Sequence, residues 1–446
     1  MAAADKGLNK QLIADLVNAK VGLEVETHRI NHDGQISQFD YPHDLLDQKR
    51  HHFIKNDFLQ TQSELITPPA LSTQKGLQYL GVYHQALRGA LASGELLWPY
   101  SMPPHMKADH SDIKIAEVDS DSYVYRQRVA KIRDIQRTSE TGVHVNIGLT
   151  GDVINTLQSL NPSDSIDNVY LQAAVGFMQY HWLLTYLFGA TPYAFKNYFS
   201  EKTHEPDHPV RSIRNSNLGY GNGFLSSYQS VAEYVKQIHV AVNKHQIIAE
   251  REYYGTVRLK QSDKVSDLLS KGIAYIELRI YDLDPFEPTF VSADAIDLIR
   301  LMFAYFISRN SFNLRVADQE IAVAVKKNNQ VALESPLAVT RYQTEAIKFI
   351  ARLSKFCQHI TLPFNAEQLC LKMIERIENP LVTPSARLVE WAKSDRGDLF
   401  NLLLKLAKGY QNDLVNRPVI GFESRTRESQ TEILNQLQQG KSILIK

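Results

Sequence analysis

The sequence predicts an α+β protein in which helices support an antiparallel sheet, and two patterns indicate this class. Short segments that alternate apolar and polar residues, as half-buried strands do, lie between long segments with apolar residues at helical spacing. After about residue 338 the pattern is almost purely helical. We therefore predict a core of strands and helices over residues 1–338 and a mostly helical part over residues 339–446, within the same domain or as a subdomain.

The predicted elements run through the whole chain. An amphipathic helix over residues 4–20 opens it, and further helical patterns occupy about 73–93, 167–190, 229–250, 293–309, 340–358 and 365–378, with shorter pieces from about 384 to 440. The stretches 100–123 and 196–224 have neither pattern, so we predict long loops there. Loops of this length in a compact domain are usually functional or disordered.

The first predicted strand has an unusual polar face. In the segment GLEVETHRI (22–30), Glu24, Glu26 and His28 fall on one face because side chains alternate along a strand. Neighbouring carboxylates on that face are about 7 Å apart, from two rises of about 3.3 Å. A solvated outer face explains two glutamates on one strand equally well, so this strand alone does not decide between a site and a surface.

Three later segments repeat the arrangement. In GVHVNIGL (142–149), His144 and Asn146 lie opposite an apolar face, and in GTVRLK (255–260) Arg258 and Lys260 do the same. In YIELRIY (275–281) the predicted polar face is formed by Tyr275, Glu277, Arg279 and Tyr281. Antiparallel sheets allow one polar face beside a buried one.

If these faces meet on one concave surface, their chemistry suits a magnesium-nucleotide site. Magnesium prefers oxygen ligands, keeps several waters and is usually shared with substrate phosphates. Arg214 and Arg279 suit phosphate or carboxylate, since a guanidinium group binds either one bidentately. The recurrence over four strands favours this site over a plain solvated sheet.

Composition excludes several classes of protein. Lys plus Arg and Asp plus Glu both number 49 among the 446 residues, so no net charge attracts nucleic acid or anionic lipid. No apolar run reaches the roughly 18 residues of a membrane span, and the first residues have no signal-peptide core. Two cysteines, Cys357 and Cys370, are too few for a disulfide framework. We expect a soluble cytoplasmic protein without nucleic-acid or membrane partners.

Nine segments, taken together, resemble those of a known family. They are GLEVETHRI (22–30), NDFLQTQSELITP (56–68), LWPYSMPP (97–104), YRQRVAKIRDIQRTSETGVHVN (125–146), YLFGATP (186–192), RNSNLGY (214–220), EYYGTVR (252–258), YIELRIYDLDPF (275–286) and NPLVTPSAR (379–387). In this order they resemble the bacterial-type glutamate–cysteine ligases, which belong to the glutamine-synthetase-like carboxylate–amine ligases. The resemblance extends over most of the chain.

The resemblance implies a fold and a reaction. The fold of that superfamily is a curved antiparallel sheet that forms a funnel-shaped active site, with helices packed outside. The implied substrates are small molecules, with ATP as co-substrate and Mg²⁺, or Mn²⁺, as cofactor. ATP phosphorylates the γ-carboxylate of L-glutamate, and the amine of L-cysteine displaces phosphate to give γ-glutamylcysteine, the first step of glutathione synthesis. We expect a monomer or a small homo-oligomer.

The resemblance also implies roles for individual residues. The family's metal-ligand positions correspond to Glu24, Glu26, Asp57, Glu64, His144 and Glu277. Positions that hold substrate carboxylate or phosphate correspond to Arg214 and Arg279, which with Glu277 form the expected catalytic set. Glutamate-side positions correspond to Tyr125, Arg126 and Asn146, and acceptor-side positions to Tyr220 and Tyr254. Near ATP we expect Arg279 and a basic residue late in the sheet, Lys326 or Lys327, and of these we choose Lys327.

Two departures from the family leave alternatives open. Val25 stands where the family often has Arg, which leaves the metal ligands intact, and Thr138 stands where an enteric-type relative has Gln. The second change allows a γ-glutamyl ligase for another amine or amino acid. A catalytically silent paralogue that binds glutamate or nucleotide is the other alternative, and the six intact metal positions argue against it. We expect the product to be γ-glutamylcysteine, with glycine added by a different protein.

Overall fold

The computed structural model describes residues 9–42, 45, 51–200, 203–221, 223–309, 311–394 and 398–445. Within these residues seven strands form an antiparallel sheet: β1 (Lys20–Ile30), β2 (Ile54–Asn56), β3 (Gln62–Ile66), β4 (Leu96–Leu97), β5 (Val143–Gly148), β6 (Val257–Lys260) and β7 (Tyr275–Tyr281). The strand order is β2-β3-β1-β5-β7-β6, and β4 pairs with the end of β1. The predicted combination of helices with an antiparallel sheet is confirmed.

Helices make up most of the described chain. They are α1 (Lys10–Val17), α2 (Thr73–Ala90), α3 (Ser120–Ile132), α4 (Gly151–Leu160), α5 (Ile166–Phe188), α6 (Val231–Asn243), α7 (Asp267–Lys271), α8 (Ala293–Arg309), α9 (Ala317–Ala332), α10 (Gln343–Cys357), α11 (Ala366–Glu378), α12 (Pro384–Lys393), α13 (Leu399–Asn416) and α14 (Arg427–Gln438). Each predicted helical pattern corresponds to one of them. The opening helix is shorter than predicted, since β1 already begins at Lys20, and residues 4–8 lie outside the described residues. Among the described residues, no helix combines the length and apolar character that a bilayer crossing requires.

The sequence patterns do not predict four of these helices, α3, α4, α7 and α9. In α3 only Val129 is buried, so the apolar periodicity that would reveal a helix is weak. In α9, Ile321, Ala324 and Asn328 are buried at helical spacing. The placement of Lys327 late in the sheet is therefore wrong, because its segment is a helix.

One face of the sheet is covered by helices. Leu23 and Val25 of β1 are almost completely buried, and α2 packs on β1 and β3 while α5 packs on β6 and β7. From Val169 to Phe188 nearly every residue of α5 is buried, which is typical of a helix at the centre of a protein. The polar residues of the same strands therefore lie on the opposite face.

A bulge interrupts the pairing of β5 with β7. Val143 pairs with Tyr281 and Val145 pairs with Leu278, so between these pairs one residue of β5, His144, lies opposite two of β7, Arg279 and Ile280. The bulge turns Tyr281 toward the helices, where its ring packs against Phe188 and its hydroxyl donates to the carbonyl of Ala295 at 2.9 Å. The prediction that Tyr281 shares the polar face of β7 is wrong for this reason.

The helices after residue 339 pack directly on the core. Helices α13 and α14 contact α2, and α11 contacts α5 and α8. The Phe349 ring of α10 stacks on the Tyr180 ring of α5, with ring centres 3.9 Å apart. Because both parts share one apolar cluster, the boundary at residue 338 stays a prediction.

Candidate active site

The register of the sheet places the predicted polar residues side by side. The cross-strand pairs on this face are Glu26 with Glu64, Glu24 with His144, Asn146 with Glu277, and Glu277 with Arg258. Residues that are separated by up to 253 positions in the chain thus become direct neighbours, since Glu24 and Glu277 both border His144. Strand pairing alone brings together five of the six predicted metal ligands.

Two groups of acids meet at His144. Its Nδ1 lies 3.2 Å from Glu24 Oε2 and 4.0 Å from Glu277 Oε1, and its Nε2 lies 3.6 Å from Glu26 Oε1. In each group, Glu24 with His144 and Glu277, and Glu26 with Glu64 and His144, the ligand atoms lie within 4.8 Å of one another. This spacing allows a single cation to contact all three members of a group.

The residues fit a divalent cation for a second reason. The side chain of His144 is only 1% exposed, so its Nε2 atom cannot bond to bulk water, and this atom has no hydrogen-bond partner in the protein. Buried ring nitrogens are normally hydrogen-bonded, so a bare one beside carboxylates needs an explanation. A metal ligand role supplies it, because a metal can take the lone pair that no donor takes. The mostly carboxylate donor set suits magnesium or manganese.

The carboxylates of this cluster repel one another. Burial raises the pKa of Glu64 well above its usual range, and the nearby charges of Glu24, Asp57 and Glu26 raise it further. Burial and then Asp57 also raise the pKa of Glu26, although His144 opposes them. Asp57 itself follows β2 and lies outside the two groups, but these interactions place its charge beside them. A bound cation would relieve this repulsion.

Cations surround the far side of the cluster. Glu277 Oε1 lies 2.9 Å from Arg279 Nη1, and Glu277 Oε2 lies 3.3 Å from Arg258 Nη1 and 3.7 Å from Lys260 Nζ. Burial alone would raise the pKa of Glu277, but these three cations outweigh it and hold that pKa well below its usual range. The sequence placed Arg258 and Lys260 on this face without assigning them a role. Their direct contact with Glu277 makes them part of the site.

A cleft of about 330 Å³ opens beside the cluster. Five of the predicted site residues line it, namely Glu26, Arg214, Tyr220, Tyr254 and Arg279. The rings of Tyr220 and Tyr254 meet edge to face with centres 4.9 Å apart, and the Arg279 guanidinium lies 5.4 Å from the centre of the Tyr254 ring. These contacts connect the predicted acceptor side to the acid cluster.

Sequence reasoning missed several residues of the cleft. They include Glu140, Asn215, Ser216, Asn217, Asn328 and Asn329. Asn328 and Asn329 come from α9, which the patterns did not predict. Glu140 is within the segment 125–146 that carries the resemblance, and a carboxylate next to the first residues of a polar strand was a signal that could have found it.

The remaining predicted residues lie at or near the edge of the site. Asn146 Nδ2 donates to Glu24 Oε1 at 2.7 Å, which keeps Asn146 beside the acids. Tyr125 and Arg126 belong to α3. The guanidinium of Arg251 covers the Tyr125 ring at 3.6 Å from its centre, and Arg126 donates to the carbonyl of Ala116 at 3.0 Å. Burial raises the pKa of Tyr125 and the neighbouring Tyr254 raises it further, so this phenol lies near a residue that lines the cleft.

The structure does not bring Lys327 to the cluster. Its Nζ lies 2.5 Å from Glu345 Oε2 on α10 and 3.8 Å from the centre of the Trp182 ring. This ammonium group is therefore held between α5 and α10 by an ion pair and an aromatic ring. The expectation that Lys327 contacts ATP has no support in this arrangement.

An antiparallel sheet with an acid cluster, flanking cations and a cleft defines a protein built to hold a cation beside a charged small molecule. The chain belongs to the glutamate–cysteine ligase family, since the family described as glutamate-cysteine ligase matches residues 7–248 and 240–331. The predicted family is thereby confirmed.

Individual relatives agree with this assignment. The chain is 33% identical over 383 residues to the glutathione biosynthesis bifunctional protein of Streptococcus agalactiae, covering 84% of this chain and 50% of that protein. It is 32% identical over 435 residues to the protein of the same name from Streptococcus mutans, covering 95% of this chain and 56% of that one. The chain thus spans about half the length of the curated relatives it matches.

Two solved structures have the same fold. A bifunctional glutathione synthetase from Pasteurella multocida superposes with a TM-score of 0.89 at 28% identity, over 97% of this chain and 58% of that one. A glutamate–cysteine ligase from Francisella tularensis, solved in complex with AMP, superposes with a TM-score of 0.83 at 22% identity, over 95% and 93% of the two chains. At that identity the second likeness concerns the fold alone.

Proposed function

We propose that this chain joins the γ-carboxylate of L-glutamate to the amine of L-cysteine, with ATP as co-substrate and γ-glutamyl phosphate as the intermediate. Membership of the glutamate–cysteine ligase family supports the proposal. The observation that carries it is the meeting of two acid groups at His144, with Arg279 in direct contact with Glu277. A reaction between anionic substrates needs such balanced charge at the reacting centre.

The acids and His144 would hold magnesium, with manganese as a substitute. Glu24, His144 and Glu277 would bind one ion, and Glu26, Glu64 and His144 mark a second position. When bound, magnesium neutralises nucleotide phosphate charge and favours transfer of the phosphoryl group. Asp57 adds negative charge beside these positions and completes the predicted set.

Two arginines would orient the substrates. Arg279 is fixed by Glu277 at 2.9 Å and is near the ring of Tyr254, so its guanidinium group is held for the transferred phosphoryl group. Arg214 Nη1 donates to the carbonyl of Tyr281 at 3.1 Å and lies 3.8 Å from Asp282 Oδ1. Its side chain still lines the cleft, where it can bind the α-carboxylate of glutamate.

The cleft would lead to the reacting centre as the mouth of a funnel. Tyr220 and Tyr254 border the side where the amine acceptor would enter, and Arg258 with Lys260 border the opposite side of Glu277. Thr138, whose identity departs from enteric relatives, donates its hydroxyl to Ile135 at 2.7 Å and belongs to a buried turn. This position gives no support to a different acceptor.

The test measures ATP consumption and product mass together. The chain is incubated with L-glutamate, ATP and magnesium, and with a panel of amines that includes L-cysteine, L-2-aminobutyrate, glycine and L-alanine. We expect ATP-dependent formation of γ-glutamylcysteine at the highest rate in the panel. A faster reaction with another amine would reassign the acceptor, and no amine-dependent product would show a silent binding protein.

A further inference from the structure

Glu140 is a carboxylate in the cleft that the proposed reaction does not use. It lies two residues before Gly142 in extended backbone, just before β5, and its side chain lines the cleft together with Arg214. Burial raises the pKa of Glu140 to about 7, although Tyr198, Tyr220 and Arg214 oppose it. An acid that lies in a cleft and has a strongly perturbed pKa is a candidate for a functional role.

One oxygen of Glu140 is fixed by the protein. Oε1 accepts hydrogen bonds from the Tyr198 hydroxyl and from the backbone N–H of Tyr220, the second at 2.8 Å. Arg137, from the same turn as Glu140, donates to the carbonyl of Gly219. The turn therefore holds the peptide before Tyr220 from both sides, and Glu140 cannot leave the cleft without releasing this loop.

Arg214 lies next to Glu140 but does not pair with it. The Arg214 guanidinium packs against Gly142, just before β5, where an added Cβ atom would overlap it and the arginine would have to shift. Glu140 and Gly142 are two residues apart in extended backbone, which places them about 7 Å from each other. Within the described residues, Arg214 forms an ion pair with Asp282 and none with Glu140. The cleft thus presents a carboxylate and a guanidinium that both line it and are not paired with each other.

We infer that Glu140 and Arg214 together recognise the zwitterionic end of the amino-acid substrate, with Glu140 binding the α-ammonium group and Arg214 the α-carboxylate. The inference rests on the proposed function, since it concerns the glutamate that this reaction would consume. An α-amino acid carries both charges on one carbon, and opposite charges at neighbouring positions are complementary to it. Glu140 is then a specificity-determining residue, because it favours donors that carry an α-amine.

The experiment compares L-glutamate with glutarate, which lacks only the α-amine. The wild-type protein is expected to favour L-glutamate strongly in kcat/KM, and Glu140→Gln is expected to reduce this preference about 10- to 100-fold, as for the loss of a charged hydrogen bond. Gln keeps an oxygen for Tyr198 and the N–H of Tyr220, so the loop stays in place. Tyr198→Phe is the matched control, because it removes one hydrogen bond to Glu140 Oε1 and keeps the charge, so it should lower the preference for L-glutamate far less than Glu140→Gln does.

Binding is measured in parallel by calorimetry with L-glutamate and glutarate in the absence of ATP. Weaker binding of L-glutamate by Glu140→Gln, with unchanged glutarate binding, supports the inference. An unchanged L-glutamate to glutarate preference in Glu140→Gln would overturn it, as would equal losses for the two compounds. If the wild-type protein forms no γ-glutamylcysteine, the proposed function fails instead, and selective L-glutamate binding that depends on Glu140 would still support this recognition.

Discussion

His144 touches both acid groups, yet it offers each of them a different ring nitrogen. Nδ1 faces Glu24 and Glu277, and Nε2 faces Glu26. The alternation of residues 142–149 was enough to predict that His144 and Asn146 share the face of β5 that carries the site. The sequence could not show that the imidazole lies between two groups, because that depends on the register of β5 with two neighbouring strands.

At Glu277 we expect the change to Gln to remove most activity while the protein stays folded. The carboxylate both belongs to a ligand group and balances three cations, and the amide keeps the shape but not the charge. Steady-state turnover with increasing magnesium and circular dichroism are the measurements. Glu378→Gln on the exposed side of α11 is the control. Near-wild-type turnover of Glu277→Gln at saturating magnesium would contradict the metal assignment.

For Arg279 the informative change is to Lys, which conserves charge. We expect kcat/KM for ATP or glutamate to fall by about two orders of magnitude, as for the loss of one preorganised donor to a transition state. Lysine presents a point charge and cannot reproduce a bidentate contact. The measurement is steady-state kinetics in both substrates. If both values stay unchanged, Arg279 only balances Glu277.

A pH effect is expected from His181, which is buried in α5. Burial lowers its pKa from 6.5 to about 4, so the unfolded chain binds a proton between these values and the folded protein does not. The contribution of His181 to the unfolding free energy is complete above pH 6.5 and is lost as the pH falls toward 4. At 1.36 kcal/mol per pKa unit, this residue accounts for about 3 kcal/mol.

Urea unfolding between pH 7 and pH 4 measures this loss. His181→Gln should reduce the pH dependence of the unfolding free energy, while the buried His28 and His84 keep their share of it, because burial lowers the pKa of each. An identical pH slope in the His181 variant and the wild-type protein would show that another group titrates.

Among the elements, four of the seven strands were predicted from alternation, whereas β2, β3 and β4 were not. The alternation of β1, β5, β6 and β7 identified the polar face, but the bulge that turns Tyr281 into the core leaves no mark in the alternation itself. Helix α9 was missed because the short apolar run around Val323 and Val325 is as typical of a strand as of a helix. That error placed Lys327 near ATP, whereas its ammonium group contacts Glu345 and the Trp182 ring.

Gly142, in the segment that leads into β5, allows a test of the close contact between the backbone and the Arg214 guanidinium. Gly142→Ala would place a Cβ atom on the Arg214 guanidinium, so we expect this arginine to move and KM for glutamate to rise at least about 10-fold. Gly409→Ala in α13 is the control, since nothing lies within 4 Å of its added Cβ and the change should stabilise the helix by about 0.5–1 kcal/mol. An unchanged KM in Gly142→Ala would show that Arg214 does not bind glutamate.

At the scale of the whole molecule, the core and the C-terminal helices share their apolar interior. Phe349 and Met373 belong to the same cluster as Val175 and Phe303 of the core. The helical pattern after residue 338 was visible in the sequence, but its packing on α2, α5 and α8 was not, because helical periodicity shows which face is apolar and not what covers it.

This packing predicts one unfolding transition for the chain. Calorimetry should give a single peak with equal calorimetric and van't Hoff enthalpies. A chain that ends at residue 338 would expose the apolar surface that α10 and α11 cover, and we expect it to aggregate. Two separate peaks would show instead that residues 339–446 form a subdomain.

The strand order has a consequence for the newly made protein. Glu24 leaves the ribosome long before Glu277, and the first ligand group is complete only when β7 joins β5. Synthesis proceeds at about 5–20 residues per second, so the early acids wait on the order of ten seconds or more for their last partner. Until then the first group stays incomplete, although the second group, Glu26, Glu64 and His144, can form as soon as β5 joins β1. The two groups are therefore completed at different stages of synthesis, and the one that contains Glu277 comes last.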